Sequence, residues 1–269
     1  MSLHVDDSGM VRIQHRAVIL GDIHGKALPV EDAVHRAIKG GRANEIIQVG
    51  DFNLYRHASK LERMSKLLVS TATTLYFLPG NHEDWPYLNS VAPNDEPVEI
   101  APNIVYLPIG TRGYVGTKSF VAVGGAYSVN QAGLTPGVDW FPDEELSPSQ
   151  AYSIMEAGEA DILFAHDCPV QYSVPLRPSL RTWSEEEEKH SHNHRVKVGA
   201  VATAVSPALT IHGHWHTPYH GTAKVGDREN SVVVGMGKER QQGALAVLDT
   251  LHRTVDLDVG GDDVIRLDF

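Results

Sequence analysis

The sequence predicts an α/β sandwich, a mostly parallel buried sheet with a second sheet packed beside it, and three observations lead there. Short runs rich in Val, Ile, Leu and aromatic residues alternate with stretches of helical spacing. Those runs are apolar at nearly every position, as strands covered on both faces are. Two further segments, 103–125 and 218–237, are glycine-punctuated and strand-like without helical spacing, and they read as antiparallel hairpins.

The elements follow in order. AVIL at 17–20 is a strand. Val30, Ala33, Val34, Ala37 and Ile38 then share one face of a helix, which Gly40 and Gly41 are expected to end. EIIQV at 45–49 is the next strand, followed by the stripe Leu54, Ala58, Leu61, Met64 and Leu68. TLYFL at 74–78 and ILFA at 162–165 are strands of the same kind. Val198, Val201, Ala202 and Val205 mark a late helix, closed by Pro207 before the strand ALTI at 208–211.

Bulk composition bounds the function. At 269 residues, 42% of them hydrophobic, the chain is expected to form one domain, 1–269, around one large core. No apolar run approaches the roughly 18 residues that span a bilayer, and the opening MSLHVDDSGMVRIQHR lacks a signal peptide's apolar stretch and cleavage site. Cys168 has no partner for a disulfide, so the reading is a protein at home in the cytoplasm. With 23 Lys plus Arg against 34 Asp plus Glu, the net charge of −11 argues against a long nucleic-acid duplex as partner. Against that acidic background stand 15 histidines, whose placement decides their use.

That placement is at strand ends. The five strands run into GDIHG at 21–25, GD at 50–51, GNHED at 80–84, HD at 166–167 and HGHWH at 212–216. In open α/β sheets ligands bind beyond the carboxyl ends of the strands, so five parallel strands would bring these side chains to one edge. Asp22, His24, Asp51, Asn81, His166, His214 and His216 offer carboxylate, amide and imidazole donors without sulfur. The mixture suits manganese, iron, zinc, nickel or cobalt better than calcium or magnesium. Seven donors exceed what one open catalytic cation needs, and two divalent metal ions sharing a carboxylate would use them all. The bland alternative is that such residues merely cap turns.

The ordered pattern D-x-H, G-D, G-N-H-E, H, G-H-x-H resembles the calcineurin-like metallophosphoesterases, from Asp22 to His216. The resemblance implies a four-layer α/β/β/α sandwich of two mixed sheets flanked by helices, with a dimetal site at the strand C-terminal ends. It further implies that Asp22, His24 and His216 hold one metal, Asn81, His166 and His214 the other, and that Asp51 bridges them. His82 would stay unligated and face the substrate phosphate, as charge stabiliser or general acid, with Glu83 orienting its imidazole. The activity implied is hydrolysis of phosphate esters by a metal-bridging hydroxide, with manganese the foremost metal. GDFNLYRH lacks the G-D-x-x-D-R-G of the protein phosphatases. GGAYS at 124–128 with DWFPDEE at 139–145 looks like small bacterial and phage-encoded members, some of which act on cyclic nucleotides. Small phosphodiesters such as 2′,3′-cyclic nucleotides are therefore the expected substrates. A phosphomonoesterase is the nearest alternative, and a nuclease or a non-enzymatic binding scaffold lie further off.

Further residues surround this set. Arg195 is the first candidate phosphate clamp, ahead of Arg177, Arg181 and Arg56. Tyr127, Trp85 and Trp140 either stack a base or fill core. EEEE at 185–188 is exposed surface or a helix start, KHSHNHR at 189–195 a solvated loop, and 171–194 together a lid insertion. Cys168 is expected to be buried packing.

Overall fold

In the computed structural model, which describes residues 5–6, 8–38, 43–175, 183–260 and 263–269, the chain forms fifteen strands and five α-helices among those residues. In order they are β1 (Val11–Ile13), β2 (Arg16–Leu20), α1 (Leu28–Ile38), β3 (Glu45–Gln48), α2 (Ala58–Ser70), β4 (Thr74–Phe77), α3 (Trp85–Val91), β5 (Val98–Ala101), β6 (Ile104–Tyr106), β7 (Arg112–Val115), β8 (Lys118–Val123), α4 (Pro148–Glu156), β9 (Ile162–Ala165), α5 (Glu185–Val205), β10 (Leu209–His212), β11 (Tyr219–Val225), β12 (Arg228–Gly235), β13 (Leu245–Asp249), β14 (Thr254–Gly260) and β15 (Asp263–Asp268).

Two mixed sheets result. One has eight strands in the order β15-β14-β13-β2-β3-β4-β6-β5, the other seven in the order β1-β7-β8-β9-β10-β12-β11. At the centre of each, four neighbours run parallel: β2, β3, β4 and β6 in the first, β8, β9, β10 and β12 in the second. The five ligand-bearing strands are thus divided three and two between sheets. They are not members of a single one.

Strand alternation explains the layers. Ile19, Ile47, Tyr76 and Val105 of the larger sheet point inward to meet Phe120, Phe164, Ile211 and Val234 of the smaller. Their neighbours Val18, Leu20, Ile46 and Phe77 point outward and are covered by Val30, Val34, Met64, Leu68 and Leu88 of α1, α2 and α3. On the other side Val121, Val123, Leu163 and Val233 are covered by Ile154 of α4 and Val198, Val201 and Val205 of α5. Both faces of the central strands are buried, which is why they read as unbroken apolar runs. The result is the predicted α/β/β/α sandwich.

Three segments differ from expectation. Residues 103–125 are not one hairpin: β6 joins the larger sheet beside β4, and only β7 and β8 pair as a hairpin, in the smaller sheet. The segment 218–237 is the antiparallel pair β11–β12 as expected. KHSHNHR is not a loop, because α5 starts at Glu185, on the second reading of EEEE. Ser184 accepts from the Glu187 N–H in a capping box, and four glutamates fill the positive first turn. The expected lid segment therefore holds half of a 21-residue helix. Its residues 176–182, Arg177 and Arg181 included, lie outside the described residues, as do Gly40 and Gly41.

Candidate metal centre

The C-terminal ends of the two parallel quartets meet at one rim, and side-chain distances show it. His216 Nε2 after β10 stands 3.0 Å from Asp22 Oδ2 after β2. The backbone N–H of His214 donates to both Asp22 oxygens at 3.2 Å. His166 after β9 places Nε2 3.0 Å from Asn81 Oδ1 after β4, and His214 Nδ1 lies 3.0 Å from that same oxygen. All seven predicted donors converge.

Asp51 lies between two groups. Its Oδ2 is 3.4 Å from His24 Nε2, and its Oδ1 is 3.5 Å from His166 Nε2. One donor atom each from Asp22, His24, Asp51 and His216 falls within 4.8 Å of every other. The backbone is bent for this purpose: His24, Asp51, His214 and His216 have φ of 47°, 56°, 63° and 50°, a left-handed region that costs non-glycine residues energy and clusters at functional sites. Two glycines permit the close approach, since a Cβ at Gly80 would overlap the Asp51 carboxylate and one at Gly213 the Asp22 carboxylate.

A second layer sets donor orientation. His24 Nδ1 lies 2.9 Å from Glu239 Oε2, and Glu239 also pairs with Lys26. His166 Nδ1 lies 2.9 Å from the Val49 carbonyl. Both partners can only accept, so both histidines carry the proton on Nδ1 and turn Nε2 toward the centre. Asn81 donates from Nδ2 to Ser128 Oγ at 2.9 Å, which leaves its Oδ1 facing inward.

Charge is concentrated here. Burial opposes ionisation of Asp51, yet His166, His24 and His82 hold its carboxyl well below the usual range; Asp22 is lowered likewise against burial by His216 and His166. Burial also opposes charge on His24, but Asp51, Asp22 and Glu239 raise it to about 9. His166 is raised by Asp51 and Asp22 against the same opposition, whereas burial pushes His214 down to about 3. His166 holds a proton on Nδ1, and its Nε2 lies 3.0 Å from Asn81 Oδ1, an acceptor. Only a proton or a cation between them makes that contact favourable. The donor set fits divalent cations, with oxygen and nitrogen ligands and no thiolate.

Above the centre a cleft of about 380 Å³ is lined by Asp51, Asn81, His82, His214 and His216, together with Trp183, Trp215, Asn130, Lys238 and Gln241. His82 is half-buried and opens onto it, its backbone N–H donating to Asp51 Oδ1 at 2.9 Å.

Sequence comparison agrees with this geometry. The profile of the calcineurin-like phosphoesterases matches residues 15–218, and the chain belongs to that family. It is a metal-dependent phosphoric ester hydrolase. Among solved structures it is similar in fold to TT1561 of Thermus thermophilus, with a TM-score of 0.58 and 16% identity over 91% of this chain and 99% of that one. A conserved protein of Streptococcus pneumoniae TIGR4, described as a predicted phosphoesterase, aligns at a TM-score of 0.42 and 11% identity over 94% and 96%, too distant to carry an argument. No curated protein matches the sequence.

Five expectations need correction or refinement. Glu83 does not orient His82: its buried carboxylate accepts from the Phe52, Asn53 and Gly80 N–H groups and from Tyr55 Oη, and so ties the Asp51 loop to the Asn81 loop. Arg195 does not line the cleft itself; it lines a neighbouring cavity that shares Trp183 and Trp215, and its guanidinium is held by its own layer. Its Nε donates to the Cys168 carbonyl at 3.0 Å, Nη2 donates to the Pro169 and Tyr172 carbonyls at 3.2 and 2.5 Å, and the guanidinium lies 5.3 Å from the Trp215 ring centre. Tyr127 is buried and stacks on His190 of α5, with ring centres 5.3 Å apart, and it does not line the cleft. Trp85 is core, whereas Arg56 is exposed. Cys168 is buried as expected, and burial pushes its thiol up to about 11.

Several residues escaped the sequence reading. Asp167 is buried, and it accepts from His194 Nδ1 at 2.7 Å and from Trp215 Nε1 at 2.8 Å. His194 Nε2 accepts from the Leu146 N–H, so this histidine is the neutral Nδ1–H tautomer and Asp167 carries the charge. The pair locks Trp215 between two candidate ligands. Glu239, Trp183 and Lys238 had no local signal, being distant in sequence from the residues they serve, and Ser128 lay in GGAYS without its role being readable.

Proposed function

We propose that the protein hydrolyses small phosphodiesters, 2′,3′-cyclic nucleotides among them, with two divalent cations, manganese foremost. The observation that carries this reading is the division of the Asp51 carboxylate, one oxygen toward His24 and the other toward His166. Asp22, His24 and His216 would hold one cation, Asn81, His166 and His214 the other, and Asp51 both. When bound, such a pair supplies positive charge to the phosphoryl oxygens and lowers the pKa of coordinated water.

The rest of the chemistry belongs to the chain. His82 faces the cleft beside Asp51 and donates a proton or hydrogen bond to the leaving oxygen. Trp183 and Trp215 form an aromatic wall for the organic part of the ester, and the Lys238 ammonium gives the rim a positive charge. The cleft volume of about 380 Å³ lies near the small end of the range for ligand sites, roughly 300–1,000 Å³, which supports a small substrate over a nucleic-acid strand. The acidic surface supports the same choice. We read 1–269 as one domain; of the segment expected as a lid, Trp183 lines the cleft. A single cysteine supports a cytoplasmic setting; among the described residues no helix is long and apolar enough to cross a membrane.

The test is an assay of purified, manganese-loaded protein on bis-p-nitrophenyl phosphate, p-nitrophenyl phosphate and 2′,3′-cyclic AMP. Turnover of both diesters above the monoester is expected. Cleavage of the monoester alone would replace this reading with a phosphomonoesterase.

A further inference from the structure

Asn81 can serve a cation only if its amide is the right way round. The two ends of an amide are nearly the same size, so packing alone does not choose between Oδ1 and Nδ2 as the inward atom. The neighbours must choose, and here they form a directed chain. The Ser128 backbone N–H, which can only donate, gives its hydrogen to Glu144 Oε1 at 2.7 Å. The Ser128 hydroxyl donates to Glu144 Oε2 at 2.8 Å, and its remaining lone pair accepts from Asn81 Nδ2 at 2.9 Å. Glu144 itself is anchored by its own backbone, whose carbonyl accepts from the Ala126 N–H at 3.0 Å. All three side chains are buried, with relative exposures of 1–2%, so water does not compete for these bonds.

We propose that Glu144, acting through Ser128, is a positioning residue that fixes the Asn81 amide with its oxygen toward the second cation. This rests on the two-cation reading above. The same chain gives a physical function to GGAYS and DWFPDEE, which the fold brings together although 16 residues separate Ser128 from Glu144.

Removing the Glu144 charge should reverse the polarity of this chain. In Glu144→Gln the introduced side chain must keep its oxygen on the Ser128 N–H, because an NH₂ group there would face another donor. Its NH₂ then donates to the Ser128 hydroxyl, and the hydroxyl hydrogen turns to Asn81. An amide answers by flipping, which presents Nδ2 to the cation. A carboxylate at position 81 has no such problem, since it accepts from the hydroxyl with one oxygen and keeps the other inward.

Manganese titration calorimetry at pH 8, where the Glu144 carboxyl is ionised, on wild type, E144Q, N81D and the N81D/E144Q double variant, with melting of each metal-free protein as a folding control, tests this. E144Q is expected to weaken one of two manganese affinities about tenfold to a hundredfold, the range for lost outer-layer partners, and to leave the other unchanged. In the N81D background the same substitution should cause no loss. If E144Q does not fold, Ser128→Ala and Ser128→Thr replace it: alanine should lose the one affinity and threonine, which keeps the hydroxyl, should restore it. Two intact affinities in E144Q, or an equal loss in both backgrounds, would overturn the inference while the two-cation reading stands. Fewer than two manganese ions on wild type would overturn both.

Discussion

Glu239 Oε2 stands 2.9 Å from His24 Nδ1, joining residues 215 positions apart across the rim of the larger sheet. The Glu239 backbone N–H also donates to the Asp22 carbonyl at 2.8 Å, so the loop after β12 braces two candidate ligands at once. An ionised carboxylate on Nδ1–H makes Nε2 a better donor and fixes the ring. Glu239→Ala is expected to weaken manganese binding about tenfold to a hundredfold, read by titration calorimetry. Unchanged affinity would show that His24 needs no such brace.

Trp183 and Trp215 meet edge to face, with ring centres 5.8 Å apart, on the wall of the cleft. Stacking on a base is sequence-tolerant and depends on the ring alone. Trp183→Ala should lower kcat/KM for 2′,3′-cyclic AMP about tenfold, within the range of one base–aromatic stack, and leave ribose 2′,3′-cyclic phosphate within about twofold. Equal losses on both substrates would mean that the indole shapes the reacting centre and does not hold a base.

Arg195 satisfies three carbonyls of the turn after His166, and its removal leaves them with fewer donors. Arg195→Ala should therefore destabilise the fold by about 2 kcal/mol, a fall of roughly 5 °C in Tm, with KM changed less than about twofold. A large rise in KM at unchanged Tm would return Arg195 to the part of a phosphate clamp.

Glu144 predicts a dependence of stability on pH. Burial, opposed by hydrogen bonds from Ser128, raises its carboxyl to about 7. A folded-state pKa above the unfolded one means that the native protein keeps a proton which the unfolded chain has released. Stability from this group is therefore greatest at low pH and is lost as pH rises from 4.5 toward about 7, up to about 3 kcal/mol in all. The metal-free E144Q protein lacks this titration, so its Tm should gain on wild type as the pH goes from 5 to 8. A constant difference across that range would contradict the assignment.

The positions of the seven convergent donors were legible because each follows an apolar strand at once, with glycine beside Asp22, Asp51 and Asn81. Neither the partition of their strands between two sheets nor the partners that aim them could be read the same way. Parallel pairing leaves no mark on sequence that distinguishes one sheet from two. Helix α5 was half missed because its buried stripe, Ser191, His194, Val198, Val201 and Val205, begins with two polar residues. His194 belongs in the core only because Asp167, 27 residues earlier, accepts its Nδ1–H hydrogen bond. Glu83, Arg195 and Tyr127 went astray for a related reason: residue type tells what a side chain can do, whereas direction comes from the tertiary fold. Glu83 points back to the Phe52 loop, and Arg195 turns to the carbonyls of its own layer.

The central claim is that the Asp51 carboxylate stands between two cations, and anomalous scattering from manganese-soaked crystals tests it most directly. Two peaks about 4 Å apart are predicted, one beside Asp22, His24 and His216, the other beside Asn81, His166 and His214, with Asp51 between them. A single peak, or peaks that leave either Asp51 oxygen without a manganese neighbour, would contradict the account.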